Sequence, residues 1–321
     1  LISTCYTAFW NRRYTRQLLP GITVRRQDFR WKKVWELISL GAWNSLTRLG
    51  QQLLDCVDML LSGALILDES ASMTMLSLAK MVPTAISSLM GTVVGVFNPQ
   101  ITIAYAEGDK EKLVDIIKSC NRILIFIMSI PIAFLTAYGR DFYAMWQPTK
   151  DADMLQRLSL LAVGVLYVSM SIQVLYHVFI ITKKVKWNSL VVLGSGICSS
   201  LLSLILLSKT DLGVACFPLS SMLTGVLRNM IFTPIYAARC LEIRWNRFYS
   251  DIFLGFASIG TITVLGLLSR MIVPIHSWII LLLTGVVMGP LALLVNFFVI
   301  LRKQERNMVI GMVRSRLKGE A

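Results

Sequence analysis

Long apolar stretches alternate with short basic loops along this chain. The apolar runs fall at about 36–67, 73–104, 120–139, 155–181, 188–208, 212–237, 251–270 and 278–301. One helical crossing of a hydrocarbon layer about 30 Å thick takes about 20 residues, so each run is long enough to span. A soluble domain would have to hide all of them in one core. The pattern predicts an all-α, polytopic membrane bundle of about eight transmembrane helices. Composition agrees: 55% of residues are apolar and 16% charged, with a mean hydropathy of +0.65. Lipid is the solvent such a chain fits.

Charge then sets direction. Under eight spans, the loops at 10–33, 105–118, 182–187, 239–247 and 302–321 hold 23 Lys and Arg, and the opposite loops hold 4. This is the positive-inside bias, and it places both chain ends in the cytoplasm. The net charge of +14 is therefore topological. A nucleic-acid partner is excluded, because the basic residues are dispersed between spans instead of gathered on one surface. Anionic membrane lipids are the partners these loops fit, at about 1 kcal/mol per Lys or Arg.

The first nine residues, LISTCYTAF, read as the tail of a preceding span, and 10–33 as a basic cytoplasmic linker. On this reading the chain is the carboxy-terminal part of a longer transporter. The stretch 105–118 is polar, with Leu113, Ile116 and Ile117 at helical spacing, and is expected along the cytoplasmic surface. Arg122 and Arg157 lie close enough to span ends to snorkel. The six cysteines have no metal-ligand spacing and read as small apolar residues. His177 and His276 form no cluster, and no phosphate-binding glycine loop or nucleophile elbow is present. Nothing here points to an enzyme or a cofactor.

The sharpest chemistry lies in the first full span. Arg48, Gln51, Gln52, Asp55 and Asp58 recur at spacings of three, four and seven, close to one helical face. Charged groups at membrane depth are costly unless they meet protein, water or a partner, so this stripe should face the bundle interior or a hydrated cavity. Lys80, in the next span, is at a similar depth to Asp58 if the hairpin turns near Glu69. Such a pair either fixes helix packing or serves transport. Arg228 is a second cation in mid-span, beside Asn229, without a local acid. Arg48 and Arg228 together suggest a cationic cavity for an anionic ligand, since a guanidinium offers five donors in a fork suited to phosphate oxygens. Asn98 and Gln100 flank Pro99 and either line an entrance or cap a broken helix.

Two passages, LISLGAWNSLTRLGQQLLDCVDMLLSG and LAKMVPTAISSLMGTVVGVFNPQITIAYAEGDKEKL, resemble a known family. The chain is similar to Wzx-type O-antigen and capsule polysaccharide flippases of the multidrug/oligosaccharidyl-lipid/polysaccharide exporter superfamily. That resemblance implies two six-helix bundles, sometimes with two further helices. Here 1–33 would be the span tail and linker, 34–237 the second bundle, and 238–321 the additional pair with its basic tail; a missing amino-terminal bundle would be needed for transport. The implied activity is flipping of an undecaprenyl-diphosphate-linked oligosaccharide across the bacterial inner membrane during surface polysaccharide synthesis. A polymerase and glycosyltransferases would be its partners, and proton or sodium flux its coupling. Arg48 and Arg228 would attract the diphosphate, with Gln51, Gln52 and Asn98 bonding to sugar or phosphate. Asp55 and Asp58 would tune Arg48 and Lys80 or exchange ions. The competing readings are a multidrug cation antiporter of the same superfamily, which favours acidic, aromatic cavities, and a noncatalytic membrane fragment.

Overall fold

Every apolar run contains helix, as backbone groups in lipid require when no water is there to bond them. The structure, a computed structural model, describes residues 2–18, 29–65, 69–301 and 306–307. The helices are α1 (Ile2–Leu18), α2 (Trp31–Leu65), α3 (Glu69–Glu107), α4 (Lys110–Trp146), α5 (Ala152–Ser169), α6 (Leu175–Ile181), α7 (Val185–Lys209), α8 (Cys216–Leu227), α9 (Thr233–Leu241), α10 (Tyr249–Ile272) and α11 (Trp278–Val299). No strand occurs among the described residues. Seven helical runs are long and apolar enough to cross a membrane: most of α3, then α4, α5, α7, the run Gly213–Leu241, α10 and α11. The 35-residue α2 has the length, but its polar stripe lowers its hydropathy below that of the seven. The protein is a multi-pass helical membrane protein.

The chain forms two compact units, residues 1–42 and 43–321. In the first, α1 runs through residue 10 without a break and carries Arg12 and Arg13 within the helix. Tyr6, Trp10 and Tyr14 follow one another at helical spacing, with ring centroids 6.1 and 5.7 Å apart. The Arg13 guanidinium lies 5.4 Å from the Trp10 ring centre, a cation–π contact. Most of the linker, 19–28, lies outside the described residues.

In the second unit α4 is the spine. It packs on α3, α5, α10 and α11, and its buried side runs from Leu113 to Tyr143. α8 sits between α5 and α7. α2 meets α7 at Gly50, where a Cβ would come within 2.6 Å of the Leu193 backbone nitrogen, so only glycine permits this approach. Gly196 of α7 faces Gly50 from the other side.

Three sequence readings change. Residues 110–118 do not form a helix separate from the span that follows them. Asp109 caps α4, its side chain accepting from the Lys112 amide, and the helix then continues without a break, burying Leu113 and Ile117. Pro99 does not break α3, which is continuous to Glu107. Arg122 does not snorkel outward: it faces Asp251 of α10 at 3.8 Å. A salt bridge to a buried carboxylate outweighs reaching for the interface.

Candidate functional site

A cavity of about 620 Å³ lies within the second unit, ringed by α2, α3, α5, α6, α7 and α8. Its polar lining follows from helical spacing. On α2, Asn44, Thr47, Arg48 and Gln51 fall on one face and all reach it. On α3, Lys80, Thr84 and Ser87 do the same, and Arg228 enters from the end of α8. Among the described residues no Asp or Glu lines the cavity.

The three cations are held differently. Lys80 Nζ donates to Asp58 Oδ2 at 2.9 Å. Asp58 is 1% exposed and also accepts from the Ser221 hydroxyl at 2.9 Å. This pair joins α2, α3 and α8 and neutralises the lysine. The depth match inferred from the hairpin is thus realised, with the carboxylate behind the wall. Among the described residues Arg228 bonds neutral groups: Nε donates to Asn229 Oδ1 and Nη1 to Ser195 Oγ, both at 3.2 Å. Arg48 is exposed on the cavity wall and makes no hydrogen bond or ion pair among the described residues. Two guanidinium charges therefore stand toward one cavity without an acidic counterpart among the described residues. Placing like charges together at membrane depth is unfavourable unless an anion joins them.

Other residues named from the sequence lie elsewhere. Gln52 is exposed and is not part of the lining, because it sits one residue round the helix from Gln51. Asn98 is also outside the lining. α6 packs against α3 there, with the Thr102 hydroxyl 2.9 Å from His177 Nε2. The Asp55 side chain lies outside the described residues.

Sequence reasoning missed the far wall. Gln173 lines the cavity from the break in the fourth span between α5 and α6, Tyr176 from the first turn of α6, and Asn188 from α7. Asn44 was accessible from the sequence, lying one turn before Arg48. Among the described residues no three His, Cys, Asp or Glu side chains converge as metal ligands would. The polar side chains of the lining offer positive charge, hydrogen-bond donors and hydrogen-bond acceptors.

No protein-family model matches the chain, and no solved structure matches it. The chain is 27% identical over 301 residues to an uncharacterized membrane protein, EpsK, of Bacillus subtilis (strain 168). The match covers 94% of this chain and 59% of that protein. The chain thus spans about three-fifths of the length of the relative it resembles.

Proposed function

We propose that the protein moves an undecaprenyl-diphosphate-linked oligosaccharide from the inner to the outer leaflet of the bacterial inner membrane, as a Wzx-type flippase does. The observation that carries this reading is the pair of arginines, Arg48 and Arg228, lining one membrane-embedded cavity with no acid in its described wall. A guanidinium binds phosphate oxygens through paired donors and keeps its charge at any physiological pH. The side-chain amides of Asn44, Gln51, Gln173 and Asn188 supply the mixed donors and acceptors that sugar hydroxyls use. The lipid tail stays in the bilayer, and no bond is made or broken. A cation exporter would place carboxylates where this cavity has guanidiniums.

In this reading both termini are cytoplasmic, and a second bundle forms the opposite wall of the path. Polysaccharide polymerase and glycosyltransferases act on either side of the transport step. Proton or sodium movement drives alternating access of the bundles.

The test is export of lipid-linked sugar in cells carrying Arg48→Gln in the complete protein, at matched abundance. Losing one charge-assisted contact of about 1.5–3 kcal/mol lowers export by about ten-fold or more. Unchanged export would remove Arg48 from the path.

A further inference from the structure

Two adjacent spans leave the α-helical repeat side by side. Beyond Ser169 the chain tightens: the amides of Ser171, Ile172, Leu175, Tyr176 and His177 donate three residues back instead of four. The neighbouring span widens, with a π-helical turn at Arg228–Phe232 in which the Thr233 amide reaches back five residues to the Arg228 carbonyl. Pro234 supplies the local cause. It has no amide to offer the Met230 carbonyl four residues before it. That carbonyl accepts instead from the Tyr249 hydroxyl of α10, at 2.8 Å. Turns of this kind concentrate at functional positions.

One side chain joins the tightened stretch to the widened one. Asn229 is 1% exposed. Its Oδ1 accepts from the Tyr176 hydroxyl at 2.7 Å and from Arg228 Nε at 3.2 Å. Its Nδ2 donates to Ser169 Oγ at 2.7 Å. The Ser169 and Ser195 hydroxyls donate to the carbonyls of Val165 and Val192, which leaves their lone pairs for the amide and the guanidinium. Arg228 is the one charged member of this set.

We infer that Asn229 is a positioning residue: it holds the Arg228 guanidinium toward the cavity, ready for the diphosphate of an anionic lipid. This role rests on the anionic-ligand reading of the cavity given above. An acid at 229 would fix the guanidinium equally well but would cancel its charge. The amide fixes direction and leaves the charge available.

The experiment is equilibrium binding of farnesyl diphosphate to the purified complete protein in detergent, with the unfolding temperature recorded for every variant. Arg228→Gln weakens binding about ten-fold. Asn229→Ala weakens it nearly as much in the native background and has no further effect beside Arg228→Gln, because coupled residues are not additive. Asn229→Asp keeps the acceptor for Tyr176 and Arg228 and requires the Ser169 hydroxyl to turn and donate to the new carboxylate; in the folded variant binding falls to the Arg228→Gln level. Equal losses from Asn229→Ala with and without Arg228, or native affinity in a folded Asn229→Asp, overturn the positioning role. Native affinity in Arg228→Gln overturns the anionic-ligand reading itself.

Discussion

The cavity wall and the α4–α10 seam both carry arginine in the membrane part of the fold, and they treat it in opposite ways. Along the seam Arg122 and Arg270 each face an acid. Arg122, its side chain 12% exposed, faces the fully buried Asp251, which also accepts from Asn121 Nδ2. Arg270 holds Asp141 at 2.9 Å. Asn296 of α11 adds neutral bonds to Ser129 and to the Phe126 carbonyl. In the wall, Arg48 and Arg228 face open space without an acid among the described residues. A buried pair fixes helices to one another; a cation left without its acid is useful only to something that arrives. On the proposed function, the difference separates packing chemistry from binding chemistry in a chain where both use the same residue type.

The largest expected effect falls on the seam. Asp251→Ala removes the buried carboxylate that Arg122 of α4 faces. Breaking a buried pair costs about 3–5 kcal/mol, so folded protein in the membrane should drop sharply. Arg48→Gln should leave abundance near normal. Equal losses in the two variants would erase the distinction between the regions.

Gly50→Val comes next. Its side chain would meet Leu193 backbone, which cannot swing aside as a flexible side chain can. Overpacking costs about 1–3 kcal/mol, read as a lower unfolding temperature in detergent. Unaltered melting would mean that α2 and α7 are farther apart than the structure places them.

The polar stripe on α2 and the Asp58–Lys80 pair were legible because both follow from helical spacing and one hairpin. Arg48, Gln51 and Lys80 reach the cavity for that reason. Gln52 shows the resolution of such reasoning: one residue of rotation, about 100°, moves a side chain off the wall. Arg122 and Asp251 were not legible as a pair, being far apart in sequence and brought together only by α10 packing on α4. Nor was the π turn at Arg228–Phe232. Pro234 announces a missing amide, but the Tyr249 hydroxyl that satisfies the freed carbonyl comes from another helix. Arg228 and Asn229 could be named from the sequence, while the bonds that tie Asn229 to Tyr176 and Ser169 could not.

The smallest effect belongs to an exposed pair outside the spans. Lys110 bonds Glu242, whose carboxyl is held below the usual carboxylate range by that hydrogen bond and by the nearby charge. Its contribution is present above the ordinary carboxylate pKa and fades as pH falls through the depressed value. Solvent screens both groups, so Glu242→Gln should leave melting at neutral pH unchanged. A clear drop would show that this surface contact matters more than the seam comparison allows.

The most direct measurement is arginine-specific dicarbonyl labelling of the purified protein, read residue by residue by mass spectrometry, with and without farnesyl diphosphate. The account expects Arg48 and Arg228 to react and to be protected by the diphosphate, while Arg122 and Arg270, held by their acids, react slowly in both conditions. Labelling of Arg48 and Arg228 that is indifferent to the diphosphate would contradict it.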